Sequence, residues 1–410
     1  MLRKVMLAGC LSLLLAPMGA GGQERPRVTV DDAVRLSLRE NPTLRAKQSE
    51  VQSVRASEIT AGLRPNPTAS YSGEGLAGSQ SPAQHTLIVG QTIELGGKRE
   101  RRIESARAAS KVTGFELADV RRQVVAQVKK SFVDVLTAAA QRTLAADNLR
   151  TLDEIERIQR FRAERGDISE LELLRLQVQR FSFERDASDA ELAMRSAKIA
   201  LRAAIGPTAL PEDFDVVGDL AFREVPLDRE AATREAVANR PDLRAADAAR
   251  EKARADVNLA RANAWWDVTP QLEYQRSTAN ENTFGLGVSL PIRIFDRNQG
   301  EIARTESEVL RAGSLREAAA AQALAEVETA VTTGAVQRDR VRLLVDVYLP
   351  KALRARDTVE FAYRRGGVSL LDFLDAQRTY RETALEHLRA LGAYWGAVYQ
   401  LEAAVGRPVE

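Results

Sequence analysis

The sequence predicts a mainly α-helical chain with a small β part, in which long antiparallel coiled-coil arms and two pairs of strands are written twice in tandem. Three observations carry that reading. A seventeen-residue stretch occurs twice, 200 positions apart, and in each copy it reads as the tip of a helical hairpin. No proline interrupts Lys98 to Arg165, so a single helix can run the whole way to the first tip. Short runs such as Phe284, Leu286, Val288 and Leu290 alternate with Gly285, Gly287 and Ser289, the period of a strand with one apolar side.

Composition fits. Of 410 residues, 44% are hydrophobic but only 5% aromatic, which suits long helices with narrow seams better than a thick globular core. Residues 1–20 have the layout of a secretory signal: Arg3 and Lys4, an apolar stretch from Val5 to Ala16, then small residues up to Ala20. They are too short to span a bilayer as an anchor. Their removal takes two of the 59 basic residues and none of the 57 acidic ones, leaving 57 against 57. A neutral chain gives no electrostatic argument for nucleic acid. The one cysteine, Cys10, lies in Leu7-Ala8-Gly9-Cys10, which resembles a lipoprotein box, so lipidation there and simple cleavage stand side by side. No disulfide can form within the chain, and no thiolate metal site can be built.

The first copy, 28–206, opens with a helix over about 30–63. Asp31 and Asp32 favour its N-terminus, and Pro42 should break a first turn or two. Two strands follow, about 68–76 and 85–94, the second alternating Leu87, Val89, Ile93 and Leu95 with polar residues. The long helix, about 98–165, repeats Val120, Val124, Val128, Phe132, Val135 and Ala139 at threes and fours, a one-sided seam. At 1.5 Å per residue it is roughly 100 Å long. At the tip, Gly166 can take the left-handed conformation that closes a helix, Ser169 can cap the next, and Glu172 completes a capping box. A return helix, about 169–204, should present Leu171, Leu174, Val178 and Phe181 to the long one. It covers only half of that helix, leaving the rest to the first helix of a copy.

Residues 207–228 hold Pro207, Pro211, Pro226 and Gly218 and read as a linker. The second copy, 229–408, repeats the order. Asn41-Pro42-Thr43-Leu44-Arg45 matches Arg240-Pro241-Asp242-Leu243-Arg244, and Ala204-Ile205-Gly206 matches Ala404-Val405-Gly406. Its helices are expected over about 229–264, 298–365 (kinked by Pro350) and 369–404, its strands over about 268–278 and 283–294. Its tip carries Gly366, Ser369 and Asp372, and seven of the seventeen tip positions are identical between copies.

Four strands are too few to close a barrel, yet their alternation is that of a lipid-facing wall, apolar outside and polar inside. A membrane admits only closed sheets. Several chains must therefore share one barrel, with the helices hanging from it as a tube. Trp265 and Trp266, just before the third strand, suit an interfacial aromatic belt or packing between helix and strand.

With these features the chain resembles the outer-membrane efflux protein (TolC-like) family over residues 28–408. The tandem unit is that family's architecture, and Gly-x-x-Ser-x-x-acid-x-Leu is its tip signature. Ile93-Glu94-Leu95-Gly96-Gly97-Lys98-Arg99 and Ile294-Phe295-Asp296-Arg297-Asn298-Gln299-Gly300 resemble the branch paired with cobalt–zinc–cadmium exporters. The resemblance implies a homotrimer whose three sets of four strands form a twelve-stranded barrel in the outer-membrane lipid of a Gram-negative bacterium. It implies a helical tunnel across the periplasm, a periplasmic adaptor docked to the tips, and an inner-membrane pump of the proton-driven RND type. The role implied is a passive export duct, for heavy-metal cations in this branch. Other ducts of the family serve drug efflux or type I protein secretion, and a periplasmic coiled-coil scaffold is the reading without a channel.

By the same resemblance Asp372 and Asp375 line the tunnel's narrowest ring. Six carboxylates from three chains would attract cations, and crowding would raise some of their pKa values. A capping role for Asp372 is compatible with that. Tyr363, Arg364 and Arg365 are gate-latch candidates. Gly166, Ser169, Glu172, Gly366 and Ser369 form the expected adaptor-docking tips, and the same residues would equally serve hairpin chemistry alone. His85 and His387, the only histidines, fall in different elements and make no metal site by spacing. No nucleophile–base set, phosphate loop or cofactor motif is present, so neither catalysis nor a cofactor is expected.

Overall fold

The computed structural model describes residues 25–76, 83–277, 279 and 281–408. The expected signal segment and Cys10 lie outside them. After a two-residue strand β1 (Arg27–Val28) come α1 (Val30–Glu40), α2 (Pro42–Gly62), β2 (Thr68–Glu74), β3 (Gln84–Gly90), α3 (Lys98–Glu164) and α4 (Glu170–Ile205). Then follow β4 (Asp215–Val216), α5 (Arg229–Asn239), α6 (Pro241–Asn263), β5 (Thr269–Ser277), β6 (Asn282–Ser289), α7 (Gln299–Leu343), a π turn (Leu344–Tyr348), α8 (Leu349–Arg364) and α9 (Leu370–Val405).

The first helix of each copy is in fact two. The break comes after eleven residues, because proline suits a helix's first position and forces an extended residue before it. Asn41 is that residue in the first copy. Its side-chain oxygen accepts from the Leu44 N–H at 3.1 Å, and its amide donates to the Ala204 carbonyl at 2.7 Å. The equivalent Arg240 is only 1% exposed. Its guanidinium donates to Asp242 at 2.6 and 3.0 Å, to Glu326 at 2.7 Å and to the Ala404 carbonyl at 3.3 Å.

α3 is 67 residues long, about 100 Å at the usual helical rise. Val124, Val128, Phe132 and Val135 are buried as the spacing predicts, with Val120 and Ala139 packed beside them. α4 lies along the tip-proximal part of α3, and α2 and α6 lie along the rest. The expected seam of α4 is corrected: Leu171, Leu174, Val178 and Phe181 are 50–75% exposed. The buried line is instead Leu176, Phe183, Met194, Leu201 and Ile205. α4 carries two apolar stripes, and period alone cannot say which one a hairpin turns inward. In the second copy Pro350 has no N–H to give the Asp346 carbonyl. The helix accommodates this with the π turn, where the Leu349 N–H reaches back five residues to Leu344.

The linker is not a loose tether. Asp215–Val216 pairs in parallel with Arg27–Val28, and Phe214 is fully buried beside Val128 and Leu201. Further on, Leu220, Phe222 and Val225 pack against Val341 and Tyr394, whose hydroxyl donates to the Arg223 carbonyl at 2.9 Å. Aromatic and branched side chains among the prolines make 207–228 a girdle over both copies' helices.

β2, β3, β5 and β6 form one antiparallel sheet in that order, so its central pairing joins the two copies. The register puts Tyr71, Leu87, Tyr274 and Phe284 in one row, and Ala69, Val89, Leu272 and Leu286 in the next. The opposite face carries Ser70, Thr86, Gln271, Glu273 and Gln275, with Ile88 the exception. β6 stops at Ser289, so Ile292 and Ile294 fall beyond the strand although they keep its alternation; Pro291 cannot donate to a ladder.

Candidate functional site: the helical tips and the sheet face

Both hairpin tips are built alike. Gly166 and Gly366 sit at φ +78° and +79°. Their N–H groups donate to Ala163 and Tyr363 at 3.0 Å, and those of Asp167 and Gly367 to Arg162 and Ala362 at 2.9 Å. A Cβ on either glycine would meet nothing within 4 Å, so backbone sign, not crowding, demands glycine there. The caps differ. Ser369 and Asp372 form the reciprocal box: Ser369 Oγ accepts from the Asp372 N–H at 3.2 Å, and the Asp372 carboxylate accepts from the Ser369 N–H at 3.1 Å and hydroxyl at 2.7 Å. Ser169 accepts from the Glu172 N–H at 3.3 Å, but Glu172 returns no bond, so the expected first box is only half formed. The longer glutamate keeps its carboxylate in solvent.

The two tips pack as one unit. Leu152, Ile155, Leu176 and Phe183 of the first pair of arms meet Tyr363, Leu370 and Phe373 of the second. Arg162 donates to the Arg364 carbonyl at 3.0 Å, and Arg364 pairs with Glu360 at 2.7 Å and Glu154 at 3.4 Å. Tyr363 points inward, stacked on Phe373 with ring centroids 5.0 Å apart, and burial pushes its hydroxyl pKa up to about 12. Arg365 lies over the Phe361 ring at 4.1 Å and Arg165 over Phe161 at 4.0 Å, the same cation–π pair in both copies. The Phe-x-x-x-Arg spacing was the sequence signal for it.

Asp372 and Asp375, one turn apart on α9, are both exposed. Hydrogen bonds from Ser369 hold the Asp372 carboxyl below the usual range, while Asp375 pairs with Arg378 at 2.9 Å. Beside them Leu371 and Leu374 face Leu171, Leu174 and Val178 across an open groove between α9 and α4.

At the other end, the Gly96-Gly97-Lys98-Arg99 turn joins sheet to shaft. Lys98, 5% exposed, pairs with Asp267 at 2.7 Å, and Asp267 also accepts from the Leu95 N–H at 3.1 Å. Arg99 and Arg102 donate to the Gly62, Ala61 and Leu63 carbonyls that end α2. Trp265 packs over Gly96, where a Cβ would sit 2.7 Å from it, yet Trp265 and Trp266 stay 58% and 41% exposed. Packing and an outward aromatic position thus coexist. Asn298, at φ +63°, takes in the second copy the place that Gly97 has in the first.

His85 and His387 are far apart in the fold: His85 bonds Tyr71 on the sheet, and His387 lies in α9, where burial lowers its pKa. Among the described residues no group of three or more His, Cys, Asp or Glu side chains is arranged to hold a metal ion. Among them, too, no helix is long and apolar enough to cross a membrane. The sheet exposes Leu87, Val89, Leu272, Phe284 and Leu286 on one face.

An amphipathic open sheet on a long helical shaft defines a class of outer-membrane channel proteins. The family model described as outer membrane efflux protein matches residues 33–207 and 232–407, and the chain belongs to that family. Its place is the outer membrane, with the helical shaft in the periplasm. It is similar to the cobalt-zinc-cadmium resistance protein CzcC of Cupriavidus metallidurans, 28% identical over 93% of this chain and 90% of that one. The nickel-cobalt-cadmium resistance protein NccC of Alcaligenes xylosoxydans xylosoxydans is 25% identical over 79% and 77%. Among solved structures, the CusC channel superposes with a TM-score of 0.78 at 20% identity, covering 92% of both chains.

Proposed function

We propose that the chain is the exit duct of a tripartite efflux system for heavy-metal cations. Three copies of the four-stranded sheet close a twelve-stranded barrel, and the two repeats, 28–206 and 229–408, hang beneath it as a tunnel. A periplasmic adaptor docks on the tips through Gly166, Ser169, Glu172, Gly366 and Ser369, and an RND-type inner-membrane pump drives transport. The duct itself is passive and has no catalytic step. Asp372 and Asp375 form the acidic constriction. Arg364 and Arg365 act as latches on the outside of the tip, and Tyr363 supports them from within.

The observation that carries the channel is the sheet: its outer edges, β2 and β6, are unpaired in one chain, and one face is apolar over all but its last row. The metal substrate is supported by the similarity to two metal-resistance proteins across most of the chain. The test is a deletion strain challenged with zinc, cadmium, cobalt, nickel, copper and a drug panel. Complementation should restore metal tolerance, and Gly366→Pro should fail to do so while still forming heat-modifiable trimers. Full metal tolerance with Gly366→Pro would remove the tip from the mechanism; sensitivity to drugs alone would replace the substrate.

A further inference from the structure

The sheet's apolar face ends, on the side away from the helices, in a row that is not apolar. Gly73, His85, Arg276 and Asn282 are register partners there, one pleat beyond Tyr71, Leu87, Tyr274 and Phe284. His85 and Arg276 stand directly opposite each other on adjacent strands. A guanidinium and an imidazole in that relation set hydrogen donors side by side, and an anion is the partner that complements both. No carboxylate occupies this face of the four strands. The turn acid Glu281 contributes its backbone carbonyl, to the Ser277 N–H at 2.9 Å. Among the described residues Arg276 makes no ion pair and is exposed.

The neighbouring tyrosines point to the same row. The Tyr71 hydroxyl lies 2.7 Å from His85 Nδ1, and the Tyr274 hydroxyl donates to Asn282 at 2.9 Å. A hydroxyl donating to Nδ1 leaves His85 Nε2 as a hydrogen donor. The row therefore offers an imidazole N–H and a guanidinium fork side by side, just above the aromatic edge of the lipid-facing band. The helical shaft fixes the opposite end as periplasmic, so this row meets the headgroups of the outer leaflet.

We propose that His85 and Arg276, steadied by Tyr71, form a binding site for a phosphorylated lipid headgroup of the outer leaflet, one site per chain around the barrel rim. The guanidinium fork takes the phosphate in two parallel hydrogen bonds, and the imidazole adds a third. The site rests on the shared-barrel reading above, and the experiment separates the two. Full-length protein is placed in nanodiscs of the phosphate-free lipid digalactosyldiacylglycerol, containing either bisphosphorylated lipid A or its dephosphorylated form. Retained lipid is counted by native mass spectrometry after detergent extraction, and trimer assembly is read independently as heat-modifiable mobility. Wild type should retain the phosphorylated lipid and release the dephosphorylated one. His85→Gln with Arg276→Gln should lower retention at least about tenfold, since losing even one of the three charge-assisted hydrogen bonds is worth that much, with assembly unchanged. Equal retention by wild type and double variant would overturn the site, as would full displacement by millimolar inorganic phosphate. Where the double variant does not assemble, wild type decides: equal retention of both lipid forms overturns the proposal. Failure of wild type itself to form trimers would refute the barrel instead.

Discussion

Among the described residues Arg240 is the most deeply buried charge, and Arg240→Ala isolates what it does. The side chain is buried and joins three elements: its own helix through Asp242, α7 through Glu326, and the end of α9 through the Ala404 carbonyl. Removing one side of a buried ion pair costs about 3–5 kcal/mol when the stranded charge stays buried. Here the Asp242 and Glu326 side chains keep 26% and 34% exposure and can rehydrate. The loss should therefore fall to about 2–3 kcal/mol. The first copy does the same joining with Asn41 and no ion pair. Arg240→Asn with Asp242→Thr, which rebuilds that arrangement, should lose less than Arg240→Ala. Urea unfolding of the detergent-solubilised trimer, followed by far-ultraviolet circular dichroism, measures both. Acid gives a second readout. Burial alone would raise the Asp242 carboxyl, but the Arg240 guanidinium overrides it and holds it below its ordinary pKa of 3.8. A depressed carboxyl contributes stability above its ordinary pKa and loses it as pH falls through the folded value. Wild type should thus lose an increment below pH 3.8 that Arg240→Ala lacks. An Arg240→Ala protein with unchanged urea midpoint and unchanged acid limb would refute the reasoning.

Three further outcomes follow from the geometry. Leu286→Arg, on the lipid side of β6 and 90% exposed in one chain, should cost about 2–4 kcal/mol of barrel assembly, seen as loss of heat-modifiable trimer, whereas Gly287→Ser on the opposite face should not. Asp267→Ala strands the buried Lys98 and should lower thermal stability by about 3 kcal/mol, with Asp267→Asn milder because it still accepts from the Leu95 N–H. Ser369→Ala should loosen the first turn of α9 by about 1 kcal/mol, read by hydrogen exchange at residues 370–373, and Ser169→Ala should loosen α4 less, since its cap makes one long bond instead of a reciprocal box.

Local chemistry was legible in the chain itself. Glycine three residues before a serine announced both hairpin tips, the proline-free run announced α3, and alternation announced the strands, because each signal concerns neighbours within a turn or a pleat. The Pro42 and Pro241 breaks were legible as well, though not their depth into the segment. Which of two greasy stripes on α4 turns inward was not, since Leu171-Leu174-Val178-Phe181 and Leu176-Phe183 satisfy helical spacing equally. Nor was the burial of Phe214 and Phe222 in a proline-rich segment, which depends on grooves formed by helices distant in sequence.

The amino-acid order by itself determined the two hairpin tips and the uninterrupted α3, which strand faces are mostly apolar, and that the unit is written twice. Only tertiary structure decided that Arg240 replaces Asn41 by reaching Glu326, that β3 pairs with β5 to join the copies, and that Tyr363 lies inside the tip while Asp372 and Asp375 lie outside. The physical reason is range. Caps, turns and periodicity are settled over a few residues, whereas ion pairs across 86 positions and the choice of buried face are settled by what else competes for the same space.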